Sequence, residues 1–105
     1  GILGIAGGIP GPSSLMDTTR SGVIVAYDSS QVFAGDDLGS TIAHEGGHYL
    51  GLWHTRESSG SHDNISDTPQ GSAATANCMY WAATPSARDF SPMQQQAVKL
   101  NLLVR

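Results

Sequence analysis

The sequence predicts an α+β fold in one domain, on three observations. Residues 22–27, GVIVAY, form a short apolar, β-branched run that reads as a strand. Residues 38–50 carry apolar side chains at helical spacing and run into a glycine, the usual stop of a helix. Ser91, Pro92 and Gln94 supply an N-cap, an N1 proline and a capping-box glutamine for a second helix. A chain of 105 residues has room for one modest core.

The elements follow in order. Residues 1–9, with Ile2, Leu3, Ile5 and Ile9, suit a short edge strand. Its glycines weaken it but let another backbone come close. Residues 10–21 read as loop. The run at 22–27 is expected to be buried on both faces, as an inner strand. Residues 28–35 are loop around Phe33, and Asp36 or Asp37 is placed to cap the helix that follows. In that helix Leu38, Ile42 and Tyr49 share a face expected to bury against the sheet. Gly46 and Gly47 cost it about 2 kcal/mol relative to alanine, which points to close packing or to simple tolerance. Residues 55–70 and 71–77 are polar and aperiodic, hence loop, as are residues 82–89. In the last helix Met93, Ala97, Leu100 and Val104 form the expected core face, and Lys99 and Arg105 suit its C-terminal half.

Composition narrows the function classes. Net charge is −4 with no run of lysine or arginine, which argues against a nucleic-acid partner. No apolar run approaches the roughly 20 residues of a membrane span. Cys78 is the single cysteine, so no disulfide can form within the chain. The chain opens on Gly1 with no signal-like segment and reads as a processed product or an excerpt of a longer precursor.

The chemistry is concentrated in residues 44–54, HEGGHYLGLWH, an H-E-x-x-H-x-x-G-x-x-H pattern. His44 and His48 lie one helical turn apart and project from one face, so both imidazoles can reach one Zn²⁺. Gly51 permits the positive φ that turns the chain and brings His54 to the same ion. Three protein ligands leave a fourth position open for water, the catalytic zinc pattern. Glu45 stands beside that position as general base. A helix with surface histidines and no metal explains neither the spacing nor the gathering of three of the four histidines. Within residues 55–70, Asp63 and Asp67, with Glu57, His62 and Asn64 nearby, offer enough oxygen for a Ca²⁺ site, though the pattern is not that of an EF-hand and a solvated polar loop fits it better.

With these residues in place, the chain resembles the metzincin zinc metallopeptidases, and within them the pappalysin-type enzymes and related secreted bacterial members. LGIAGGIP is similar to the strand that pairs with substrate in that group, which makes Leu3, Gly4, Ile5, Ala6 and Gly7 candidate substrate-binding residues. SGVIVAY is similar to the inner strand, HEGGHYLGLWHT to the zinc motif, and SDTP to an element near which calcium is held in some relatives. NCMYW is similar to the Met-turn, with Met79 beneath the metal ligands, and FSPMQ to the start of the C-terminal helix. Trp81 stands where relatives often carry a tyrosine. The resemblance implies the C-terminal portion of a zincin catalytic domain, lacking its N-terminal strands and helix. It also implies a secreted or cell-surface endopeptidase acting on peptide or protein substrates. The missing N-terminal part of the precursor would then be a partner. Two other functions are consistent with the residues: a non-catalytic zinc-binding fragment that holds a peptide or partner, and a calcium-dependent adhesion domain built on residues 57–67.

Overall fold

The computed structural model describes residues 4–12, 18–26, 35–82, 84 and 86–104. Their elements run in the order β1 (Gly4–Ala6), β2 (Val23–Val25), α1 (Gly35–Tyr49), a 3₁₀ helix (Gly71–Ala76) and α2 (Pro92–Lys99). This is an α+β arrangement. The 3₁₀ helix stands where loop was expected.

β1 and β2 pair antiparallel, with Gly4 opposite Val25 and Ala6 opposite Val23. Helix α1 packs on this two-stranded sheet. The expected inner strand is not buried on both faces. Ile24 is 70% exposed, because among the described residues β2 has one partner strand and α1 covers one face only. Ile2, Leu3, Phe33 and Arg105 lie outside the described residues.

Helix α1 includes Asp36 and Asp37, so neither is the residue ahead of it that would cap it. Its buried stripe is not Leu38, Ile42 and Tyr49. Ile42 is 48% exposed, while Thr41, Glu45 and His48 are buried. Packing and chemistry therefore share one face of the helix. Polar groups tolerate this because they find partners there. His48 bonds to a backbone carbonyl, and Glu45 accepts a hydrogen bond from the backbone N–H of Ala6.

The two adjacent glycines of α1 differ. A Cβ on Gly47 would fall 2.5 Å from Met79 Sδ, so this glycine permits close approach. A Cβ on Gly46 would meet nothing within 4 Å, so that glycine is merely tolerated.

Helix α2 begins as expected. Ser91 Oγ accepts from Gln94 N–H, and Gln94 Oε1 accepts from Ser91 N–H, a complete capping box followed by proline. The helix ends at Lys99, short of Val104. The face predicted to be core is not: Leu100 is 84% exposed and Met93 is exposed, whereas Gln94 is fully buried. The physical reason is a reciprocal amide pair. Asn77 Nδ2 donates to Gln94 Oε1 at 2.8 Å, and Gln94 Nε2 donates to Asn77 Oδ1 at 3.1 Å. Gln94 is thereby satisfied inside, and its orientation decides which way α2 faces. Among the described residues the buried apolar side chains are few: Leu52, Ala74, Cys78, Met79 and Ala87.

Candidate metal centre

Helix α1 stops in a way that builds the site. Gly51 has φ +110°, Leu52 N–H donates to Gly47 O, and Gly51 N–H donates to His48 O, both at 2.9 Å. This is the Schellman geometry, in which a glycine in left-handed conformation closes the helix. The same turn buries Leu52 and aims its carbonyl back at the helix. His48 Nδ1 donates to Leu52 O at 2.7 Å. Beyond the turn, Thr55 N–H donates to Met79 O at 3.0 Å, which ties the segment after His54 to the turn at residues 77–80.

That turn supports the second histidine, His44. Tyr80 N–H donates to Asn77 O at 3.0 Å, and Asn77 Oδ1 also accepts from Met79 N–H at 2.9 Å. Cys78 O, presented by the turn, accepts from His44 Nδ1 at 2.7 Å. Met79 is fully buried, with its sulfur against Gly47. The third histidine has a carboxylate: His54 Nδ1 lies 3.0 Å from both oxygens of Glu57.

These partners decide the tautomers. A carbonyl oxygen can only accept, so Nδ1 carries the proton on His44 and His48, and each Nε2 is left with a bare lone pair. The two Nε2 atoms nevertheless lie 3.1 Å apart. Two facing lone pairs repel unless a cation lies between them. Two ligands at about 2.0–2.1 Å on a tetrahedral ion stand about 3.3 Å apart, close to this spacing. One ligand atom from each of His44, His48 and His54 lies within 4.8 Å of the others. The donor set thus fits a metal ion such as Zn²⁺. Among the described residues, no other group of three His, Cys, Asp or Glu side chains gathers in this way.

Burial tunes the same groups. It pushes His48 down to about 4, against the opposing pull of the Leu52 carbonyl, and lowers His44 as well. Both imidazoles are therefore neutral at pH 7, the state a ligand requires. Burial raises Glu45, while His54 and the Ala6 N–H pull it back. A Cβ on Gly4 would lie 2.6 Å from Glu45 Cγ, so β1 can approach the glutamate only because that residue is glycine.

The remaining predicted residues divide. Gly4, Ile5 and Ala6 form β1, and Gly7 N–H donates to Gly22 O at 3.0 Å; Leu3 is outside the described residues. Since Ala6 N–H meets Glu45 and Gly7 N–H meets β2, the backbone groups of Gly4 and Ala6 face away from β2. Trp81 is exposed beside Tyr80. Asp63 Oδ1 accepts from Thr68 Oγ1 at 2.7 Å and from Ile65 N–H at 3.3 Å, while Asp67 Oδ2 accepts from Met93 N–H at 3.0 Å. His62 is exposed and lies outside the histidine cluster. Three participants escaped the sequence reading: Asn77, the inward role of Gln94, and Glu57 as partner of His54. Only Gln94 carried a signal, its place in the capping box.

Two imidazoles on α1, a third beyond its end and a buried glutamate on the same helix are the makings of a metallopeptidase centre. The chain belongs to the reprolysin-like metallopeptidases of family M12B, whose profile matches residues 11–104. It is 37% identical over 86 residues to an extracellular metalloprotease of Neurospora crassa, covering 80% of this chain and 25% of that protein. An extracellular metalloprotease of Podospora anserina is 35% identical over 86 residues, covering 80% of this chain and 24% of its own length. One from Colletotrichum graminicola is 42% identical over 60 residues, covering 55% and 19%. The chain thus spans about a quarter or less of the length of these relatives. No solved structure matches it.

Proposed function

We propose that this chain carries the metal centre of a zinc-dependent endopeptidase that works outside the cell. The convergence of three imidazoles, with the Nε2 atoms of His44 and His48 facing each other, beside a buried glutamate supports this most directly. His44, His48 and His54 would hold the ion. Zinc there supplies Lewis-acid polarisation of a peptide carbonyl and acidifies water toward about pH 7. Glu45 accepts the proton of the attacking water at its carboxylate and passes it to the leaving amine. Its raised basicity suits the first of these steps. An extended peptide pairs with the backbone of Gly4 and the carbonyl of Ala6, on the edge of β1 turned away from β2, while the Ala6 N–H stays with Glu45. Met79 is the methionine of the Met-turn, Trp81 flanks the substrate, and residues 82–89 wall the cleft.

Among metzincins we assign the chain to the pappalysin side, on HEGGHYLGLWHT and SDTP. The remainder of the longer protein then completes the cleft above β1. The extracellular names of the relatives support secretion.

The test is cleavage of a quenched fluorescent peptide library by this chain, with and without chelator, beside Glu45→Ala. Chelator-sensitive turnover that Glu45→Ala lowers by about 10²–10⁴-fold, with zinc still bound, is the expected result. Equal turnover by the variant contradicts the role of Glu45. Bound zinc without turnover favours the non-catalytic binding fragment, unless the full-length protein restores cleavage.

A second reading concerns calcium. Asp63 Oδ2 is buried without a hydrogen-bond partner, an oxygen that a cation would satisfy, and Asp67 follows in the same loop. Calorimetric titration with Ca²⁺ on wild type and Asp63→Asn decides it: heat lost in the variant supports the site, and no heat in wild type removes it.

A further inference from the structure

We propose that Glu57 is a positioning residue for the metal centre, fixing the tautomer and ring orientation of His54. This rests on the reading of His44, His48 and His54 as the ligands of one zinc ion. The three ligands are not held alike. His44 and His48 are each oriented by a backbone carbonyl that the fold places whatever the side chains are. His54 lies beyond the end of α1, and among the described contacts its Nδ1 meets a side chain instead.

Both Glu57 oxygens stand 3.0 Å from that nitrogen. A carboxylate accepts only, so the proton is held at Nδ1 and the lone pair is left at Nε2, free for the metal. A carboxylate behind a ligating imidazole also makes it a stronger donor to the metal.

Glu57 can do this because its backbone is pinned. Its N–H donates to Ser61 O at 2.8 Å, and its carbonyl accepts from Gly60 N–H at 2.9 Å. Gly60, at φ +92°, closes that turn, and Arg56 bridges His62 across it. The turn therefore presents the carboxylate three residues after the ligand it serves. The side chain is 46% exposed, so removing it leaves no unfilled core. Its effect should appear in metal affinity and not in folding.

The experiment is a zinc titration against a chromophoric competing chelator, on the wild-type chain, Glu57→Ala and Glu57→Gln. It is paired with the visible spectrum of each Co²⁺-loaded form and the Tm of each metal-free form. We expect Glu57→Ala to weaken zinc binding by about 10–100-fold and to shift the Co²⁺ bands. Glu57→Gln keeps an acceptor oxygen and should recover part of that loss, and the three metal-free Tm values should agree. Equal affinities and identical spectra overturn the positioning role while the zinc site stands. A metal-free Tm that falls in step with affinity makes Glu57 structural and also overturns it. Failure of wild type to bind zinc overturns the zinc reading and this proposal together.

Discussion

The two sides of the histidine cluster are built by opposite means. Above it, β1 and β2 form a sheet of two short strands whose Ile5, Val23 and Ile24 are exposed. Below it, Asn77, Met79 and Gln94 are buried, and the polar ones spend their hydrogen bonds on each other and on nearby backbone. The floor touches the histidine cluster and its helix, through the Cys78 carbonyl on His44 and Met79 against Gly47. The sheet touches the catalytic candidate, through Gly4 and Ala6 on Glu45. Metal binding and turnover should therefore be separable: damage to the floor disturbs the ligands, and damage to the sheet disturbs the base.

The largest expected effect lies on the sheet side. Gly4→Ala puts a Cβ where Glu45 Cγ stands and must displace the glutamate. A displacement of about 1 Å costs on the order of 10²-fold in turnover, with zinc affinity unchanged. Kinetics on the cleaved peptide and a zinc titration, run side by side, check this; a loss of zinc with turnover would erase the contrast between the two sides.

The floor gives the next largest effect. Gln94→Ala removes one half of the amide pair and leaves Asn77 buried and short of partners, for a loss of about 1–3 kcal/mol in urea unfolding. Zinc affinity should fall with it, because Asn77 shapes the turn that presents Cys78 O to His44. An unchanged unfolding midpoint would show that the pair is not structural.

Two neighbouring glycines sharpen the point. Gly47→Ala drives a Cβ into the buried Met79 sulfur and should destabilise by about 1–3 kcal/mol. Gly46→Ala meets open space and should stabilise by up to about 1 kcal/mol through helix propensity. Opposite shifts in Tm at adjacent positions are expected, and shifts of one sign would contradict the packing of Met79 under α1.

The smallest effect is one of pH, read without metal. His48 is lowered from 6.5 to about 4 by burial, and His44 moves the same way. Between those values the unfolded chain binds more protons than the folded one, so stability falls as pH drops from 6.5 toward 4 and is level above 6.5. Glu45 is raised and opposes this, so the profile is best taken on Glu45→Gln with a chelator present. A flat profile over that range would mean that the imidazoles are not buried as neutral groups.

The gathering of His44, His48 and His54 was legible because it is written in local spacing. One helical turn separates His44 from His48, and Gly51 announces the turn that leads to His54. The α2 start was legible for the same reason, since a capping box spans four residues. What was not legible depends on contacts made across the chain. Ile42 and Leu100 looked like core residues by periodicity, yet the inward stripes carry Glu45, His48 and Gln94, whose partners lie far away in sequence or in a turn. The run at residues 22–27 looked like an inner strand because apolar content reports a capacity for burial, and burial also needs a neighbour on each side.

One measurement bears most directly on the centre of this account: X-ray absorption at the zinc edge of the zinc-loaded chain. Three imidazole nitrogens at about 2.0–2.1 Å and one further light atom are expected, with one zinc per chain. Two imidazoles only, or a sulfur neighbour at about 2.3 Å from Cys78, would contradict the convergence of His44, His48 and His54 on one ion.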